Sequence, residues 1–154
     1  MTPAWYRDIP SEQIPEYVLP DGTKVRVIAG SSNGVAGAMQ REDTEPLYLD
    51  IDLPSGSNFA GRIPAAHNAF VYVYRGAVRI DGRPVGTGRM GILSNGSGVD
   101  GVHIVPEGAA RLILIAGKPI GEPIVQYGPF VMNSKEEIFQ AINDFREGHF
   151  AEAR

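Results

Sequence analysis

From Leu47 to Leu53 every second residue is apolar, which puts Leu47, Leu49, Ile51 and Leu53 on one face of an extended chain and Tyr48, Asp50 and Asp52 on the other. This alternation predicts a half-buried strand, with one side in a core and one in solvent. The same period runs through Lys24-Val-Arg-Val-Ile-Ala29, the expected first strand, after the turn signal Pro20-Asp-Gly-Thr23. Residues 69–75 are apolar on both faces and predict a central strand, which Gly76 breaks before residues 77–80 resume. Asp81-Gly82 then gives a two-residue hairpin signal. Residues 89–93, 99–105 and 111–116 read as further strands, separated by Pro54-Ser-Gly-Ser-Asn58 and Ser94-Asn-Gly-Ser-Gly98 type turns, and residues 30–37 read as a flexible loop. At the end the period changes. Ser134-Lys-Glu-Glu137 is a capping box, Ile138, Ala141, Ile142 and Phe145 recur at helical spacing, and Gly148 stops a helix of about four turns.

Strands spaced ~8–12 residues apart with glycine turns between them predict a sandwich or barrel. The 19 glycines and 12 prolines fit many short strands better than a helical protein. At 154 residues and 43% hydrophobic content there is material for one core and no second large domain. The expected organisation is an extended segment over residues 1–20, a β-barrel over 21–130, and a helical segment over 131–154 whose apolar stripe docks on the barrel or serves a partner.

A net charge of −4 with scattered basic residues argues against direct nucleic-acid binding, which needs clustered Lys and Arg. No run approaches the ~20 apolar residues of a membrane span, and no basic-then-apolar leader opens the chain, so a cytoplasmic protein is expected. The absence of cysteine removes thiol chemistry and thiolate ligands, leaving only histidine and oxygen donors for any metal. Asp50 and Asp52 could be taken for an acid/base pair, but carboxylates alternating with apolar residues are what a half-buried strand shows anyway. The glycines from Gly34 to Gly37 and from Gly86 to Gly101 lack a following Gly-Lys-Ser/Thr unit and belong to turns.

The segment Ile63-Pro-Ala-Ala-His-Asn-Ala-Phe-Val-Tyr-Val-Tyr-Arg-Gly76 resembles the first motif of a metal-binding cupin, in which two histidines and a glutamate precede an apolar strand ending in a hairpin glycine. Aligned on Gly76, those ligand positions fall at Ile63, Ala65 and Ala69, none of which can donate a lone pair. His67 lies between them and would share their face if the strand already ran there. One imidazole makes no site, since an iron centre of this kind needs two histidines and a carboxylate with open positions. An improvised set of His67, His103 and Glu107 is the alternative, although a lone histidine on a strand is more commonly structural. His149, after Gly148 at a helix end, is better placed to complement the helix dipole. His67, His103, Tyr72 and Tyr74 are the candidate pocket residues, the tyrosines being more often packing residues with a satisfied hydroxyl.

Taken with Ile115-Ala-Gly-Lys-Pro119 and Glu122-Pro-Ile-Val-Gln-Tyr-Gly-Pro-Phe-Val-Met-Asn133, this segment resembles the C-terminal half of the pirin family, and Trp5-Tyr-Arg-Asp-Ile-Pro10 looks like that family's bridge between two cupin domains. The resemblance implies an all-β cupin-type jelly-roll barrel with one C-terminal helix. In pirins the N-terminal cupin holds the metal, usually iron, and several bacterial members resemble quercetin 2,3-dioxygenases; the C-terminal cupin generally holds none. The expectation is therefore a metal-free binding or scaffold module with no cofactor and no catalytic residue of its own. Iron enters only if a second cupin domain completes a dioxygenase-like oxidoreductase, or if the improvised site exists. A lone half would expose apolar surface, so a homodimer or a partner cupin domain is expected. A transcriptional-cofactor role is also known among pirins, but nothing basic or repetitive in this chain supports it independently.

Overall fold

A computed structural model describes residues 5–96 and 98–153. The first four residues of the expected N-terminal segment, and Ser97 of the expected 94–98 turn, therefore lie outside them. The chain divides into two compact units, Pro10–Pro119 and the segments Met1–Ile9 with Ile120–Arg154.

The larger unit is two antiparallel sheets closed over one core in a jelly roll, open at the edges and not a closed barrel. A six-stranded sheet runs, in spatial order, Arg89–Ile92, Asn68–Arg75, Ala110–Gly117, Leu47–Leu53, Lys24–Ala29 and Glu16–Val18. Four strands form the second, in the order Arg83–Gly86, Ala77–Ile80, Gly101–Pro106 and Phe59–Arg62. Alternation places Leu49, Ile51, Leu53, Val71, Val73, Leu112 and Leu114 of the first sheet against Phe59, Val78 and Ile104 of the second, all of them fully buried or nearly so. Each such side chain contributes about 1.5–3 kcal/mol relative to exposure. The expected strand at residues 69–75 is indeed paired on both edges. Lys24–Ala29 is not the first strand of this sheet, because Glu16–Val18 pairs beyond it through the Asp21-Gly22 turn. There the Asp21 carboxylate accepts the Thr23 and Asn58 amides, at 3.0 and 3.1 Å, and these bonds hold it below its usual range.

Two turns differ in how readily they could be read. Asp81 and Gly82 both have positive φ, as the hairpin signal requires. Residues 30–37 are not a flexible loop: Ser31–Ser32 pairs with Val35–Ala36 around Asn33-Gly34, both again at positive φ. Asn-Gly carries the same hairpin chemistry as Asp-Gly, but strands of two residues are too short to show a period.

The smaller unit contains the antiparallel hairpin Val125–Tyr127 and Phe130–Met132, and the helix Lys135–Glu147 packed on it. A parallel pairing of Trp5–Tyr6 with Glu152–Ala153 completes it. The capping box is formed: Ser134 Oγ accepts the Glu137 amide, and the Glu137 carboxylate accepts the amides of Ser134 and Asn133. Gly148 ends the helix at φ 76°. Ile138 and Ala141 of the expected stripe are buried, whereas Phe145 meets Phe130 and Phe150 edge-on.

The passage between the two sheets is made by a bulge followed by a glycine. Arg111 pairs with Arg75 and Leu112 with Val73, so Tyr74 is the extra residue of a β-bulge. Gly76, at φ 76°, then turns the chain into the four-stranded sheet, and a Cβ there would run into the Ala109 carbonyl oxygen. Gly34 has nearly the same φ with open space around it. Gly34→Ala should thus cost about 1 kcal/mol, from left-handed strain alone, and Gly76→Ala roughly 3 kcal/mol because collision adds to it. Urea unfolding of the two variants measures the difference; equal costs would show that the corner tolerates a side chain.

Candidate functional site

The positions that correspond to cupin ligands come together at one end of the jelly roll. Phe59–Arg62 ends at Arg62, the chain turns through Pro64 to His67, and Asn68–Arg75 begins one residue later. His67 therefore does not ride on a strand; the turn swings it inward, its amide donating to the Pro64 carbonyl at 2.9 Å. Ile63, Ala65, His67 and Ala69 line a shared space with Leu93, Ser94, Val99 and Gly101. Its volume is about 20 Å³, the scale of a single water. Ligand pockets are typically ~300–1,000 Å³, so neither a substrate nor a metal with open positions fits there.

The donor set agrees. Ile63, Ala65 and Ala69 offer no lone pair, and among the described residues no group of three His, Asp or Glu side chains is placed to hold a metal ion. The alternative set is taken apart by the fold. His103 points outward from Gly101–Pro106, where the inward positions are Val102, Ile104 and Pro106. Glu107 accepts from Arg79 Nε at 2.8 Å, and His67 is buried elsewhere. An iron ion therefore does not fit the described residues.

His67 is held as a structural residue. Its side chain is 6% exposed, and its Nε2 lies 3.4 Å from Glu45 Oε2, which in turn faces Lys118 Nζ at 3.3 Å through its other oxygen. Nδ1 is buried without a hydrogen-bond partner among the described residues. Glu45 is a non-glycine residue at φ 41°, and Lys118 also donates its backbone amide to the Thr44 carbonyl, at 2.8 Å. Beside this clasp lies a wider cavity of about 450 Å³, bordered by Gln40, Arg41, Glu42, Pro46 and Arg62. The sequence offered no signal for Glu45 or Lys118, because they lie 22 and 51 residues from His67 and share no motif with it.

Tyr72 and Tyr74 do not reach that end of the fold's interior. Both lie on the outer face of the six-stranded sheet, Tyr72 paired with Met90 and Ile113. Asp50 and Asp52 share this face and prove to be partners, not a catalytic pair: Asp52 accepts from Arg111 at 2.6 Å, and Asp50 accepts the Tyr74 hydroxyl at 2.7 Å. Desolvation, followed by the bond to Asp50, pushes Tyr74 up to about 12.

Fold and site together define a cupin whose ligand positions are apolar. Residues 48–151 match the family model described as the pirin C-terminal cupin domain. The chain belongs to the pirin family, as its C-terminal cupin domain. It is 47% identical over 98% of its length to a Pseudomonas aeruginosa protein named "Putative quercetin 2,3-dioxygenase", of which it covers 54%. It is 37% identical to human pirin over 92% of its length, covering 49% of that protein. A crystal structure of quercetin 2,3-dioxygenase from Acinetobacter baumannii superposes with a TM-score of 0.80 at 33% identity, over 92% of this chain and 49% of that one. The chain thus spans about half the length of these relatives.

Because its folded value is raised above the ordinary tyrosine value of 10.0, Tyr74 contributes stability that is fully present below pH 10 and is lost as pH rises toward about 12. A phenolate absorbance titration of the folded protein should show a tyrosine ionising near the upper value, and this late step should vanish in Tyr74→Phe. A wild-type curve without such a step would mean that Tyr74 is not held in its partly desolvated place against Asp50 in solution.

Proposed function

We propose that this domain is a metal-free binding or scaffold module, whose family chemistry belongs to a second cupin domain. The observation that carries the reading is the apolar set Ile63, Ala65 and Ala69 around a space of about 20 Å³, with His67 already engaged by Glu45. Packing occupies the place where a cupin would coordinate iron. The module supplies surface and rigidity, acting as a homodimer or beside a partner cupin domain. No helix among the described residues is long and apolar enough to cross a membrane, which fits a domain working in the cytoplasm.

A second reading has its own support in the names of the relatives. On it, the domain is one half of an iron-dependent quercetin 2,3-dioxygenase-like oxidoreductase completed by a second cupin domain. The two readings agree that no residue of this chain binds the metal. They differ in whether the completed protein oxidises a flavonol.

A first experiment tests the metal-free part of the reading: the purified chain is incubated with ferrous iron, the excess removed, and bound metal and oxygen uptake with quercetin measured. The expected result is no stoichiometric iron and no uptake. Bound iron with turnover would overturn the scaffold reading. His67→Ala should leave that null result unchanged while lowering stability by about 2 kcal/mol, since a buried side chain and its clasp are lost. Adding the second cupin domain of a longer relative and regaining quercetin-dependent uptake would favour the oxidoreductase reading.

A further inference from the structure

Between the helix Lys135–Glu147 and the hairpin strand Val125–Tyr127 runs a groove of about 520 Å³, a volume usual for binding sites. Its floor includes Tyr127, Ile138, Phe139 and Ile142, and the Tyr127 and Phe139 residues are each 68% exposed. Lys135 and Arg146 border it eleven residues apart, and no Asp or Glu among the described residues lines it. Neither cation forms a salt bridge among the described residues. The acids of the same helix are engaged elsewhere: Glu137 in the capping box, Asp144 accepting from Gln140 Nε2 at 2.6 Å, and Glu147 beside His149 at 3.8 Å. Arg146, in the last turn, suits the helix dipole. Lys135 opens the helix, where the dipole disfavours a cation, so the helix alone gives no reason for it.

We propose that this groove binds an extended acidic–apolar segment of a partner protein, in which two carboxylates flank apolar residues. This gives the binding module above a partner class and rests on that reading. In a chain of net charge −4, an apolar floor between two cations with no carboxylate on its walls complements an anionic partner. Among the described residues Val125–Tyr127 pairs only with Phe130–Met132, so its other edge is open to an added strand. A lipid chain has no backbone to use that edge. Eleven helical residues span about 16 Å. Carboxylates six residues apart on one face of an extended chain lie about 20 Å apart, and the long Lys135 and Arg146 side chains cover the difference.

Fluorescence anisotropy of the intact chain with a labelled, end-blocked peptide, Asp-Thr-Leu-Thr-Ile-Thr-Glu, tests this over about 1 µM to 1 mM protein. A dissociation constant on the order of 100 µM is expected, weakened at least ~10-fold by Asn and Gln at the peptide ends, by Lys135→Glu and by Arg146→Glu. The variant carrying both substitutions should instead bind the peptide with Lys at both ends. Both side chains are exposed, and Lys135→Glu should raise the melting temperature because it suits the dipole, so lost binding there is not lost folding. Equal binding of the neutral peptide, or charge reversals without effect, would overturn the proposal. So would phosphatidylserine vesicles bound through the same two cations while the peptide is ignored, or self-association of the chain that shuts the peptide out. Iron held by the chain with normal peptide binding would defeat only the metal-free reading, and absence of both would defeat only this inference.

Discussion

Everything in the larger unit depends on bringing two sheets face to face with one apolar row from each strand between them. Fully buried Leu49, Ile51, Val71, Val73, Leu112 and Leu114 can leave water only if the chain crosses repeatedly from one sheet to the other. The crossing after Arg75 is the tightest. Tyr74 absorbs a residue in the bulge and Gly76 takes a conformation that a side chain would obstruct. Alternation with Phe70 and Tyr72 puts Tyr74 on the outer face, where its hydroxyl reaches Asp50 on a strand two places away. The bulge and the glycine together turn the chain from one sheet into the other.

At the end where cupin ligands stand, the same scaffold is kept and its chemistry is replaced by packing. Without ligands and metal, the space at this end must be filled, and any polar group left facing the interior costs free energy unless it is paired. Ile63 and Ala69 fill; His67 is paired with Glu45, and Glu45 with Lys118. Through this clasp, and through the Lys118 amide donating to the Thr44 carbonyl, the segment before Leu47–Leu53 is tied to the residue after Ala110–Gly117.

The run from Tyr127 to Asn133, part of the stretch that carries the family resemblance, has an architectural role. It makes a hairpin around Gly128-Pro129, joins Asn133 to Glu122, and delivers Ser134 to cap the helix. Phe130 then anchors Phe145 and Phe150. Its residues are tied to turn, cap and ring contacts, and none of these contacts needs a metal or a substrate.

The alternating pattern of residues 47–53, the Asp81-Gly82 turn, the break at Gly76 and the capped helix are all legible in the sequence, because each depends on neighbours close along the chain. The apolar residues at the ligand positions were legible for the same reason, since a missing lone pair is a property of the residue itself. What the chain alone could not settle is which distant groups meet. That His67 faces Glu45 and Glu45 faces Lys118, that His103 points away from them, that Asp52 belongs to Arg111, and that Tyr74 meets Asp50 all follow from strand order and register. Register flips a whole face with a slip of one residue, and it is set by the summed burial of both sheets, so no local pattern encodes it.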